Sequence, residues 1–356
     1  MKEKVRNSNI ELLRIFAMIL IILHHYSLHG GLIDVEGAGI NKAIGAIILI
    51  GGKIGVNIFV LITGYFLIES KLKVKKILKL ILQVLFYTIS FFILDIILDG
   101  SIEFENIKKS FLPITFNTYW FITAYIGIYI LSPFINKFVK SIKQEKLMVL
   151  IVVLLILFSL IGFVSSSSGY MGNLQWFLLM YLVGAYIRLY DFKKLSIKKI
   201  KWFSILGYAL LILGACVSVI LNQYNEIFFK IFRKVLSMNC IIIFIESILL
   251  FLAFRNIEIK ENKIINLFGK YSFGVYLFHD NFIFKSFLWK NILKVEFFYL
   301  AEPFLLIVHI IGCTIGIYLV GTLIELVRVK VIEGPIFKIN KYDKWFEKID
   351  NCINCE

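Results

Sequence analysis

Long apolar runs separated by short basic segments dominate this chain. Ten such runs can be counted, at about 10–29, 43–68, 77–98, 118–136, 147–164, 174–190, 202–221, 235–254, 271–289 and 300–327. Most approach or exceed the roughly 20 residues that a helix needs to cross a hydrocarbon core. Backbone groups must be satisfied internally in lipid, so helices are the expected elements. The second run is interrupted by Gly51, Gly52, Lys53 and Gly55 and reads as a short interfacial helix followed by a span, or as one kinked span. The pattern predicts an all-α, polytopic membrane protein of about ten spans over residues 1–330, with a mixed-charge tail at 331–356 that carries Trp345 and Phe346 and is expected on the inner leaflet. No loop exceeds about 20 residues, so no soluble domain is expected; 165–173 (SSSSGYMGN) reads as a flexible external turn.

Composition strengthens this picture. Hydrophobic residues make up 59% of the 356, beyond the roughly 45–50% usual for soluble domains. The net charge of +15 is placed for topology. If the N-terminus is inside, 28 of the 39 Lys and Arg fall in inside segments and nine in outside ones, with Arg14 and Lys53 within spans. That alternation follows the bias of Lys and Arg toward cytoplasmic loops. It puts both termini in the cytoplasm and makes lipid contact a better account of the charge than nucleic acid. Cys216, Cys240 and Cys313 lie in apolar runs, and Cys352-x-x-Cys355 at the tail is half a zinc site at best, so neither a disulfide framework nor a metal site is expected. No cleavable leader is expected, because the first run is too long and lacks a small-residue cleavage site. No internal repeat is visible, which weakens a carrier reading.

The chemistry concentrates in the first run. Its text, NIELLRIFAMILIILHHYSL, carries Glu11, Arg14, His24 and His25. A charge at mid-membrane costs roughly 3 kcal/mol even on a lenient scale, so such groups pair, line a cavity or react. Arg14 and His25 are eleven residues apart, which returns them to nearly the same helix face about 16 Å apart along the axis. Glu11 precedes Arg14 by one turn and can pair with it. Neighbouring histidines point about 100° apart, so His25 rather than His24 is expected to face a cavity with Arg14. A neutral imidazole there suits a general base or a nucleophile. Elsewhere, Tyr119-Trp120 and Gln175-Trp176 end spans on the outer side and suit sugar recognition or an interfacial aromatic belt. Ser272, Tyr276 and His279 form one polar stripe, with Asp280 placed to orient His279. Asp95, Glu246 and His309 are lone polar groups expected to be buried and paired, and Asn57 and Thr63 suit helix contacts.

The Arg-x10-His spacing of Arg14 and His25 resembles the signature of the integral-membrane acyltransferase 3 family, whose members O-acylate bacterial surface polysaccharides and related molecules. Further segments look like the family's: GVNIFVLITGYFL (Gly55 to Leu67), YWFITAYIGIYILSPFIN (Tyr119 to Asn136), LQWFLLMYLVGAYI (Leu174 to Ile187) and YSFGVYLFH (Tyr271 to His279). Thr63-Gly64-Tyr65 stands where the family usually has Ser-Gly-Phe. The run Lys71, Lys73, Lys75, Lys76 and Lys79 stands where arginines, often followed by a proline, are usual.

The resemblance implies a multi-pass protein of the bacterial cytoplasmic membrane that moves an acyl group, typically acetyl, from cytoplasmic acyl-CoA to a hydroxyl of a cell-surface or lipid-linked polysaccharide. His25 would be the catalytic base or acyl carrier, with Arg14 and Glu11 assisting. Arg14, Lys75 and Lys76 would meet the donor. His24, Tyr119, Trp120, Gln175, Trp176, Ser272, Tyr276 and His279 are the acceptor-side candidates. Acyl-CoA enters as co-substrate, with no bound cofactor or metal, and a separate extracellular partner is a possible third component. The rival reading is a transporter or flippase for a lipid-linked glycan that uses the same charges as a path.

Overall fold

The structure, a computed structural model, describes residues 6–35, 39–100, 102–161, 172–190, 196–337 and 343–354. Most of the expected turn at 165–173, the tail residue Cys355, and Lys2, Lys4, Lys193, Lys194, Lys338 and Lys341 lie outside the described residues. Among those described, every regular element is helical. The principal helices are α1 (Ser8–His29), α2 (Ile40–Leu49), α3 (Gly51–Leu67), α4 (Val74–Asp99), α5 (Phe104–Phe111), α6 (Trp120–Ser141), α7 (Gln144–Leu155), α8 (Asn173–Tyr190), α9 (Ile197–Leu221), α10 (Ile227–Val235), α11 (Ile241–Arg255), α12 (Lys263–His279), α13 (Pro303–Arg328) and α14 (Asp343–Ile353).

Each of the ten apolar runs is mainly helical where it is described. Six helical segments are long and apolar enough to cross a membrane: α1, Ile40–Leu67, Val74–Leu98, α6, α9 and Pro303–Phe337. The others are shorter, as in α11 with 15 residues and α12 with 17. The interrupted second run resolves into one passage. Ile50, between α2 and α3, keeps helical dihedrals of φ −54° and ψ −43°, so the glycines do not open a turn there.

Helix α1 is the axis of the fold. It packs against α3, α11, α12 and α13, while α3 also packs on α8 and α12 on α13. Leu13, Ala17, Ile22 and Tyr26 of α1 are fully buried. Apolar surface all round suits a helix enclosed by others.

Helices α3 and α8 approach closely enough for their backbones to touch. A Cβ on Gly64 would stand 2.2 Å from the Tyr181 carbonyl oxygen, and one on Gly184 would stand 2.4 Å from that of Leu61. Small residues permit this close packing, which replaces the hydrophobic drive missing inside lipid. Buried polar side chains pin the same neighbourhood. Asn57 accepts from Trp176 Nε1 at 2.8 Å and donates to the Met238 carbonyl at 3.0 Å. Asn136 donates to the Leu67 carbonyl and accepts from Tyr181 Oη, both at 2.7 Å. Of the lone polar groups, Glu246 accepts from Ser204 at 2.8 Å and His309 Nδ1 meets Tyr26 Oη at 2.7 Å, while Asp95 is partly buried. Thr63 donates to the Phe59 carbonyl within its own helix.

The C-terminal helix α14 is anchored to the start of α4. Asp350 accepts from the Val74 N–H at 2.8 Å, and Asn354 accepts from the Leu72 N–H at 3.0 Å. Orphan donors at a helix start need such partners. Lys75 joins this contact through Asp343 at 2.8 Å.

Gly184→Leu is expected to force α3 and α8 apart and destabilise the fold by about 3 kcal/mol, read as a lower detergent melting temperature and loss of the monodisperse peak. Gly312→Ala, where a Cβ meets nothing within 4 Å, should leave both unchanged.

Candidate active site

The last two turns of α1 carry both adjacent histidines onto one small cavity. Met18, Ile21, His24 and His25 of α1 line it with Gly52, Lys53, Val56 and Phe59 of α3, Trp120 and Phe121 of α6, Phe273 and Tyr276 of α12, and Asp280 just beyond. The cavity measures about 50 Å³. The expectation that only one histidine would face it is corrected. Glycine at position 52 lets α3 lie directly on the His24 ring, where a Cβ would come within 2.2 Å of His24 Cγ. His24 is thereby held at the cavity edge, with Nδ1 2.8 Å from the Leu49 carbonyl oxygen.

The tautomers at the centre follow from one carbonyl. His279 Nδ1 lies 2.6 Å from the Val275 carbonyl oxygen, which can only accept. For a neutral ring, the proton is then on Nδ1 and Nε2 is bare. His25 Nδ1 lies 3.0 Å from that bare nitrogen and donates to it. The remaining nitrogen, His25 Nε2, therefore holds a lone pair, and it has no hydrogen-bond partner among the described residues. Asp280 does not orient His279 as expected from adjacency; it accepts instead from His29 Nε2 at 3.1 Å. The His25 and His29 rings are 4.6 Å apart, so the carboxylate lies close enough to favour a positive charge forming on His25. His25, His29 and Asp280 each offer one ligand atom within 4.8 Å of one another, a donor set able to hold a divalent cation, although the His29–Asp280 hydrogen bond already engages two of those groups.

The N-terminal end of α1 opens on a different space. Arg14 Nη1 pairs with Glu11 Oε1 at 2.5 Å, and Arg6 Nη1 reaches the same oxygen at 3.0 Å. Arg6 and Arg14 line three adjoining clefts of about 270, 590 and 950 Å³. Lys76 and Lys270 add positive charge. Most of the lining carboxylates are engaged, Glu333 with Lys79 and Arg328, Glu325 with Arg328, and Glu69 with Arg188, while Glu261 also lines the largest cleft. The result is a basic vestibule large enough for a nucleotide-sized anion, whereas the histidine cavity is too small for one. Phe59, Phe121 and Phe273 belong to both the smallest cleft and the histidine cavity. Three aromatic rings are thus shared between the basic entrance and the histidine cavity.

The expected residues divide accordingly. Trp120 and Tyr276 line the cavity with His24 and His25, and His279 stands directly behind His25. Ser272 is on the vestibule side, donating to the Gly269 carbonyl. Tyr119 is buried away from the cavity, donating to the Leu277 carbonyl at 2.8 Å and accepting from Asn281 at 2.9 Å. Trp176 is 0% exposed and bonded to Asn57, so it neither faces an acceptor nor belongs to an interfacial belt. Gln175 is exposed and caps its own helix start at the Gly172 N–H. Of the two lysines, Lys76 lines the vestibule and Lys75 turns to Asp343. Lys53 was not among the expected site residues. The reasoning that singled out Arg14, a charge inside an apolar run, applies to it equally.

A family model described as an acyltransferase domain, that of the acyltransferase 3 family, matches residues 7–326, about nine-tenths of the chain. No curated protein and no solved structure matches it. The matched region contains the histidine cavity, the aromatic partition and all of the vestibule lining except Arg6 and the residues from Arg328 onward, and the chain belongs to the integral-membrane acyltransferase 3 family.

Proposed function

We propose that this membrane acyltransferase moves an acetyl group from cytoplasmic acetyl-CoA to a hydroxyl of a cell-surface or lipid-linked polysaccharide. It would cross the bacterial cytoplasmic membrane ten times with both termini inside, as the alternation of basic segments suggests. One observation carries the reading: a bare imidazole nitrogen, His25 Nε2, belongs to a small cavity whose aromatic wall is shared with a basic vestibule.

The donor's phosphates and the vestibule's cations are complementary. Arg14, Lys76 and Lys270 meet the phosphates of CoA, and Glu11 holds Arg14 toward the cleft. The pantetheine arm passes Phe59, Phe121 and Phe273, which brings the thioester carbonyl to His25. The acceptor hydroxyl arrives from the opposite end of α1, beside Trp120. His25 Nε2 takes the hydroxyl proton as the oxygen forms a bond to the carbonyl carbon and the carbonyl π pair moves onto its oxygen. Collapse reforms the C=O bond and breaks C–S, and the thiolate leaves with the proton returned by His25. His279 holds the reactive tautomer, and Asp280 favours the transient imidazolium.

His25→Ala is expected to lower acetyl transfer at least about 100-fold with unchanged protein level. The check is NMR of O-acetyl groups on the purified surface glycan, with and without the variant; full acetylation would remove His25 from the chemistry. Arg14→Ala is expected to raise KM for acetyl-CoA about tenfold, the loss of a charge-assisted contact, whereas Lys75→Ala should stay within about twofold. Steady-state kinetics in proteoliposomes separates the two, and equal effects of both variants would contradict the assignment of the vestibule.

A further inference from the structure

We infer that Lys53 and Tyr276 form the oxyanion site of this transfer, an inference that rests on the acyl-transfer reading above. The tetrahedral intermediate carries its negative charge on the former carbonyl oxygen. In a small apolar cavity that charge is stabilised only by donors already in place. Among the residues lining the histidine cavity, Lys53 supplies the one formally cationic side chain that is not an imidazole.

Two separate features mark these residues. The hydroxyl of Tyr276 is buried with no hydrogen-bond partner, in a side chain belonging to a residue only 7% exposed. A buried donor left unmet lowers stability, and buried polar groups are nearly always paired, so this one calls for a ligand. The ammonium of Lys53 has no carboxylate within 4 Å among the described residues. Its Nζ rests 5.2 Å above the Trp120 ring, a contact that positions the charge without neutralising it. Asp280, the carboxylate in the same wall, acts electrostatically on both Lys53 and Tyr276 and approaches the Tyr276 hydroxyl without closing a hydrogen bond within 3.5 Å; its nearer partners are His29 at 3.1 Å and Lys285 at 4.0 Å. His24 is engaged by the Leu49 carbonyl. The cavity therefore presents one base, His25, and two unmet donors.

In the step itself, the attacking oxygen bonds to the carbonyl carbon as its proton passes to His25 Nε2. The π pair becomes a third lone pair on the carbonyl oxygen, which accepts from Lys53 Nζ and Tyr276 Oη. Collapse returns that pair to the C=O bond and expels the thiolate, which takes the proton from His25. Neither donor gives up its proton.

The test uses the near-isosteric variants Tyr276→Phe and Lys53→Met in full-length protein in proteoliposomes. Two acyl donors are compared: acetyl-CoA, and p-nitrophenyl acetate as a donor that needs no vestibule, each corrected for the His25→Ala background. Each variant is expected to lose about 100-fold in kcat, the usual loss for one oxyanion donor, with KM for acetyl-CoA within about threefold. Melting temperature should hold or rise, because each variant removes an unmet polar group; a merely structural role predicts a lower melting temperature with kcat per folded molecule intact. Wild-type kcat in both variants overturns the inference while the transfer reading stands. His25-dependent turnover of p-nitrophenyl acetate alone, sensitive to both variants, supports the oxyanion site and removes acetyl-CoA as donor. Absence of His25-dependent turnover of either donor overturns both.

Discussion

The hydrogen bond between His25 and His279 joins α1 to α12 and decides which imidazole nitrogen is bare. Its direction is set one step further back, at the Val275 carbonyl, because an oxygen acceptor leaves His279 no choice of tautomer when neutral. The remaining features of the cavity surround that lone pair. Asp280 reaches it through His29, Lys53 and Tyr276 line the same cavity, and Gly52 allows α3 to close over His24.

The second constraint is separation. The basic vestibule is measured in hundreds of Å³ and the histidine cavity in tens, and three phenylalanines belong to both. On the proposed reading this serves two needs at once. A phosphate-bearing head group stays in a wet, cationic space, while the reacting carbonyl is enclosed where water, the competing acceptor, is scarce. Arg14 and His25 occupy the two ends of one rigid helix, so the distance between head-group binding and chemistry does not depend on a loop.

Holding these two spaces in register requires α3 to be firmly seated, since it contributes to both. The Gly64 and Gly184 contacts put it against α8 at backbone distance, and Asn57 and Trp176 tie it to α8 and to the segment before α11. Trp176 is thus part of the framework of the cavity rather than its surface. The tail does related work at α4, where Asp350 and Asn354 meet donors that a helix start would otherwise leave open.

Several features were legible in the chain itself. Apolar run length dictates helices, the eleven-residue spacing puts Arg14 and His25 on one face, and the one-turn spacing brings Glu11 to Arg14. All of these depend only on covalent neighbours and helical period. The partner of His25 is different in kind: it lies 254 residues away, and periodicity says which face a side chain takes but not which helix arrives there. The same limit explains Lys75 and Lys76. Their adjacency made them equivalent in sequence, yet the docking of α14 draws one to Asp343 and leaves the other at the vestibule. It explains Lys53 too, since a charge in an apolar run announces its cost but not the cavity that justifies it. Local hydrogen bonding and the membrane's demand for apolar surface determine the elements; only close packing between distant segments decides which polar groups meet.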